Sequence, residues 1–386
     1  MWRHIAANAM TFLIVALFLL VGGISWGVRE YRAPGPLTAA ICLPVPAGSA
    51  NTDALTSALL ENGAISSAFI YESGARYTEK SGQIKRGQFR IPEAASMEEI
   101  VDIVTRGGRN TCGTQVTYRV GINRTLVDVR ELDAATNNFV DVVSFEAGEL
   151  EVPAEYADVR AQGDATYRVV FAEGVTSWQI TDALANIDIL RADVTDVPAE
   201  GSLAPSDYDI REGDTVSSVL ERMRATQQDI LTEAWENRAQ GLPLASAEEA
   251  LILASIIEKE TAVSDERRQV ASVFVNRLNR GMRLQTDPTV IYGITRGEGV
   301  LGRGLRQSEL RGETPWNTYV IEGLPPTPIA NPGQASIEAA LNPDTTEFIF
   351  FVADGTGGHA FATNLDDHNS NVARWREIEA ERASGD

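Results

Sequence analysis

Residues 246–261 read SAEEALILASIIEKET, and the reading of this stretch decides what kind of domain the chain carries. Ser246-Ala247-Glu248-Glu249 is a capping box, with a serine to open a helix and a glutamate three residues on to close the exposed N–H groups. The helix that follows, 250–261, is apolar on nearly every face, which predicts burial on all sides. On a 100° wheel Glu258 shares a face with Leu251, Ala254 and Ser255, and Glu260 shares one with Leu253, Ile256 and Ile257. Either carboxyl is thus a candidate for a low-dielectric interior, where burial and the negative end of the helix raise its pKa. A carboxylic acid still protonated near neutral pH is what a general acid requires. The competing reading leaves both glutamates solvated at a helix end with Lys259 between them.

Outward from this helix, 265–280 carries Val270, Val273, Phe274 and Leu278 at core spacing and ends at Gly281. Turn residues dominate from Met282 to Asn342. A short helix at 336–341 then precedes the strand EFIFFVA (347–353). Long ordered loops of this kind are where a cleft is built. Upstream, two segments run in parallel: LPVPAGSANTDALTSALLENGAI (43–65) and VVFAEGVTSWQITDALANIDIL (169–190). Each reads as a strand, a glycine turn and a capped amphipathic helix. GQFRIPEAASMEEIVDIV (87–104) and SDYDIREGDTVSSVLERM (206–223) repeat the pattern. The stretch between them, about 130–165, is acidic and reads as an irregular insert. Asp209 to Leu242 is mostly helical and stops at Gly241-Leu242-Pro243.

At the amino end, Ile5–Val28 contains no charged side chain over 24 residues, about 36 Å as a helix and enough to cross a bilayer. The run is too long for a cleaved signal peptide and finishes in Trp26 and Tyr31, which suit an interfacial anchor. Cys42 and Cys112 are free to pair if the chain beyond the anchor is exported. The net charge of −21 argues against nucleic acid as partner. Several catalytic sites are excluded. The three histidines, His4, His359 and His368, lack zinc-helix spacing, and none of the three lysines sits in a P-loop. The GxGxxG string at Gly297, Gly299 and Gly302 has no βαβ unit around it and reads as turns.

Taken together, ILASIIEKET, FVNRL, LQTDPTVIYG, PWNTY, GLPPTPIANPG, AALNP, FIFFVAD and GGHAFATNLDDHN resemble, in order and spacing, the catalytic domain of the endolytic murein transglycosylases, the YceG-like or MltG family. The match is dense from 250 to 374. The upstream repeats resemble the family's LysM-like portion more loosely. EGSLAPSDY (200–208) resembles its turn into the catalytic part, with Ala204 where an aromatic is usual.

The fold implied is α+β. A tail and transmembrane signal anchor (1–32) lead to a LysM-like module (33–108), an acidic irregular segment (109–165), a second α+β unit (166–245) and the catalytic domain (246–386). The resemblance implies a single-pass inner-membrane lyase with its bulk in the periplasm. Such a protein cuts nascent peptidoglycan strands at the N-acetylmuramic acid to N-acetylglucosamine bond beside the synthases, with no metal or cofactor. It selects Glu258 as the catalytic acid over Glu260. It also implies Gln285, Asp287, Asn317, Tyr319, His368 and Asn369 as cleft residues, the last pair being equally readable as a loop-holding cluster. Two other readings stand open: a non-catalytic peptidoglycan-binding scaffold, and a hydrolase with Asp287 as second carboxylate.

Overall fold

The computed structural model describes residues 2–45, 51–85, 87–105, 113–133, 136, 138–148, 151–162, 165–194 and 196–384. Among them the elements run α1 (Trp2–Arg32), β1 (Ile41–Val45), α2 (Asn51–Glu61), α3 (Ala68–Tyr77), β2 (Gly87–Ile91), α4 (Met97–Thr105), β3 (Thr114–Val120), β4 (Thr125–Asp133), β5 (Asn138–Glu146) and α5 (Ala154–Gln162). Then come β6 (Thr166–Phe171), α6 (Ser177–Ala185), β7 (Asp207–Ile210), α7 (Val216–Glu236), α8 (Ala247–Glu260), α9 (Arg267–Asn279), α10 (Asp287–Thr295), α11 (Gln307–Leu310), α12 (Gln334–Leu341), β8 (Phe350–Ala353), β9 (His359–Ala362) and α13 (Leu365–Ser384). Strands β3 to β7 form one sheet in the order β5-β4-β3-β6-β7.

The chain is mixed α and β and divides into two compact units. One is Met1–Gln115, Val129–Val142 and Glu155–Thr166, and the other Val116–Asp128, Val143–Ala154 and Tyr167–Asp386. The segment expected to be irregular, 109–165, holds three strands and a helix. In β3 the alternation is clear, with Val116, Tyr118 and Val120 buried. In β5 every described side chain is exposed or only partly buried, with Phe139, Val143 and Phe145 the more sheltered row.

In the first unit, β1 and β2 pair antiparallel with Ile41 opposite Ile91. Leu43, Leu55, Leu59, Tyr71, Ile91, Ile100 and Val104 form its core. Helix α1 offers one span, Ile14–Arg32, long and apolar enough to cross a membrane. Its last turn departs from the interfacial role expected of Tyr31. That ring is 7% exposed within the core, and it lies so close to Gly74 that a β-carbon there would meet it at 2.2 Å. The Cys42–Cys112 pairing that the sequence permits, beside the reading of two separate thiols, involves Cys112, which lies outside the described residues; no described cysteine is free.

In the second unit, β6 and β7 pair antiparallel, Val170 opposite Asp207. Helix α6 begins at Thr176, whose hydroxyl accepts from Gln179 N–H while Gln179 returns the bond, a capping box. Helix α8 is the hub. Ser246 caps it, Glu249 reaches back to Ala245 N–H at 2.7 Å, and Leu253, Ala254, Ile256 and Ile257 are wholly buried. Ser255, also buried, donates to Ile252 O and accepts from Ile329 N–H at 3.0 Å, so the one polar group on that face is satisfied. Around α8 pack α7, α9 and α12, with Val270, Phe274, Ile337 and Leu341. Helix α10, with Pro288 near its start, lies within the 282–342 stretch expected to be dominated by turns. The proline stands in the first turn, where its missing N–H costs nothing.

Candidate active site

The final turn of α8 carries two carboxyls about 200° apart around the helix axis, and they meet different surroundings. Glu258 faces the 173–174 and 331–333 loops. Its Oε2 accepts from Gly333 N–H at 2.9 Å, and its Cγ would lie 3.5 Å from a β-carbon on Gly174. The neighbouring Lys259 donates from Nζ to Gly174 O at 3.2 Å, and its burial lowers the ammonium pKa against the pull of Glu258 and Glu200. Glu173 stands against Gly333 so closely that a β-carbon there would meet its Oε1 at 1.8 Å. Burial, and then the charge of Glu258, push the Glu173 pKa up, while Arg267 at 3.9 Å opposes. Beneath them Asn331 is fully buried and ties the segments together, donating to Val175 O at 3.0 Å and accepting from Leu203 N–H at 3.0 Å.

Glu260 turns the other way. Thr286 donates its hydroxyl to Glu260 Oε1. Thr286 is itself fixed by its N–H to Thr318 Oγ1 at 3.0 Å, and Thr318 and Thr289 join hydroxyls at 2.8 Å. Beside this threonine cluster Tyr319 donates to Asp287 Oδ1 at 2.7 Å. Burial raises the Glu260 pKa, the charge of Asp287 adds to the rise, and Thr286, His359 and Arg277 pull it back. Glu260 as a residue is partly exposed and lines a cavity of about 480 Å³, whose other walls include Thr261, Trp375, Arg382, His359 and the turn between β8 and β9. His359 is held by Glu266, with its N–H 3.0 Å from Oε1 and its Nδ1 2.8 Å from Oε2.

The residues expected in a cleft therefore divide. Asp287 and Tyr319 gather on the Glu260 side, not around Glu258. Gln285 is exposed at the start of the same segment with φ of +50°, a left-handed conformation a glutamine rarely adopts, and its N–H reaches Thr318 O at 3.1 Å. Asn317 lies inside rather than on a surface. It is fully buried, and its amide is spent on the carbonyls of Glu309, Leu310 and Gly312. His368 stacks on Phe350 at 4.9 Å, its Nδ1 buried without a partner, and burial lowers its pKa. Asn369 is exposed on α13.

Sequence reasoning passed over Glu173, Glu266 and His359. His359 had a signal in the sequence, since it stands in the GGHAFATNLDDHN stretch that carries part of the family resemblance. Among the described residues no group of His, Cys, Asp and Glu is arranged to hold a metal ion.

Comparison with known proteins adds lineage to this geometry. The model of the YceG-like family matches residues 43–374. An endolytic murein transglycosylase of Bacillus subtilis is 27% identical over 328 residues, covering 84% of this chain and 82% of that protein. One of Streptococcus pneumoniae is 26% identical over 384 residues, covering 96% of this chain; the chain spans 65% of that protein's length. A crystal structure of a YceG-like protein from Listeria monocytogenes is 25% identical, with 86% of this chain and 98% of that one covered and a TM-score of 0.43.

Proposed function

The chain belongs to the YceG-like family, and on that footing we propose that it is an endolytic lytic transglycosylase of peptidoglycan. It cleaves the N-acetylmuramic acid to N-acetylglucosamine bond within nascent strands and leaves 1,6-anhydro ends, which terminates their elongation. Relatives named for this activity support the reaction class. The observation that supports the chemistry is a carboxyl on the wall of a cavity of about 480 Å³, with burial raising its pKa above the usual carboxylate value. That carboxyl is Glu260. Glu258, the acid expected from the sequence, has its Oε2 engaged by the Gly333 N–H, which suits a group that holds a loop.

In this reading Glu260 gives its proton to the bridging oxygen as the bond to C1 breaks, and an oxocarbenium-like centre forms. The C6 hydroxyl of the same muramic residue then closes onto C1. An attack from within one molecule has an effective concentration of about 10⁵–10⁸ M, so water need not be recruited. Asp287, adjoining Glu260 and held by Tyr319, favours one second reading: a hydrolase in which Asp287 activates water. The rest of the proposal follows the resemblance. Helix α1 anchors the chain in the inner membrane with its bulk in the periplasm near the synthases, and the small strand–helix modules are LysM-like holders of glycan.

The deciding experiment compares Glu260→Gln with Glu258→Gln on uncrosslinked glycan. Glu260→Gln is expected to lower turnover by at least about 10²–10⁴-fold with the fold intact, and Glu258→Gln far less. The reverse order would return the acid to Glu258. Products made in heavy-oxygen water should carry unlabelled anhydro ends; labelled reducing ends would favour the hydrolase.

A further inference from the structure

Ring closure releases a proton from the C6 hydroxyl, and the geometry points to His359, oriented by Glu266, as the base that takes it. The inference rests on the lytic reading above. Both oxygens of Glu266 are committed to one residue, the backbone N–H and Nδ1 of His359. A carboxylate oxygen accepts, so Nδ1 carries a ring hydrogen, and in the neutral ring the lone pair is then on Nε2. The ring is set by contacts as well as by hydrogen bonds. Phe351 meets it edge-on at 5.3 Å and 89°, and Phe361 lies 6.4 Å away. Gly358 makes the arrangement possible, since a β-carbon there would stand 2.5 Å from Glu266 Oε1. The two side chains are 15% and 20% exposed, which is sheltered yet reachable.

His359 lines the same cavity as Glu260, but from the start of β9 rather than the end of α8. The two groups are close enough that the positive charge of a protonated His359 would lower the Glu260 pKa. A pair of this kind divides the work that one carboxyl would otherwise do in sequence. The bond from C1 to the bridging oxygen breaks, and its electron pair stays on that oxygen, which takes the Glu260 proton. O6 bonds to C1, and its proton passes to His359 Nε2. Glu266 stabilises the resulting imidazolium, as a carboxylate does for any histidine it orients. When the product leaves, His359 releases its proton to solvent and Glu260 takes one back, so both groups return to their starting states. No water is consumed, and the two products together have the mass of the strand that was cut.

A ring that merely packs against Phe351 and Phe361 would have no use for a free base in solution. The test is therefore His359→Ala in the full chain in detergent, with anhydro ends counted by mass spectrometry in the presence and absence of imidazole. The expected result is a rate loss of about 10²–10⁴-fold, recovered in part by imidazole as its neutral form increases, with no recovery in Glu260→Gln. Glu266→Gln should lose less than His359→Ala. A wild-type rate in His359→Ala overturns the proposal, and so does a loss that imidazole leaves untouched in a protein of unchanged melting temperature. Should the alanine variant fail to fold, His359→Gln decides: a large loss with wild-type melting supports the base, and a near-wild-type rate removes it. If the wild-type chain yields no anhydro ends at all, the lytic reading falls, an outcome distinct from the failure of His359 alone.

Discussion

Glu258 and Glu260 differ by two positions in a helix and by almost everything else. One holds a loop backbone through Gly333 N–H, and the other lies among three threonines with a pKa raised by burial. That rise has a consequence for stability whose sign is fixed. A carboxyl with a folded pKa above its ordinary 4.5 binds more protons in the native state than in the unfolded one over the interval between those values. Its contribution to stability is thus greatest at low pH and is lost as pH rises through the folded pKa. Glu260→Gln does not titrate, so its melting temperature should exceed that of wild type at pH 8 and converge with it near pH 4. Thermal melts across that range check this, and parallel curves would show that Glu260 is not held protonated. The sequence made both glutamates visible as wheel positions on a buried helix. It could not say which loops would meet which face, because the partners at 173, 286 and 333 lie far away along the chain.

Among the elements, the strongly periodic ones were legible and the two-sided ones were not. The Ser246 cap and the apolar run of α8 appear where the pattern predicts them, and so does α9 within two residues. Strands β4 and β5 escaped because charged residues occupy both their faces, and α10 because turn residues dominate the stretch around it. What the pattern of α9 hid is the work of Arg277. It is 7% exposed and donates from Nε to Ile349 O at 2.7 Å and from Nη1 to Leu284 O at 2.6 Å, with its guanidinium 5.3 Å from the Phe350 ring. It thereby pins the approach to β8 and the segment before α10 to one helix. A lysine has neither the fork nor the plane to serve both carbonyls. Arg277→Lys should cost about 2 kcal/mol, the price of a buried carbonyl left without its donor. Urea unfolding measures this, and an unchanged midpoint would mean the two carbonyls find other donors.

At the scale of the whole chain, the uncharged amino-terminal run was easy to read and its continuation was not. Nothing in the sequence of 29–32 distinguishes a residue at a membrane surface from one inside a core, yet Tyr31 is 7% exposed in the first unit. A soluble fragment starting at residue 33 leaves that space empty. One starting at residue 29 should be more stable by about 3 kcal/mol, the scale of losing a buried aromatic ring. Chemical unfolding of the two fragments is the measure, and equal midpoints would show that Tyr31 contributes nothing. The same ring bears on how the full chain stands at a bilayer. Helix α1 runs from Trp2 to Arg32 without a break and ends as a strut of the unit it carries. There is no hinge between rod and head. If the rod is embedded in lipid, its tilt and spin become the tilt and spin of the first unit. That unit then keeps a fixed standoff from the headgroups, like a lamp welded to its post.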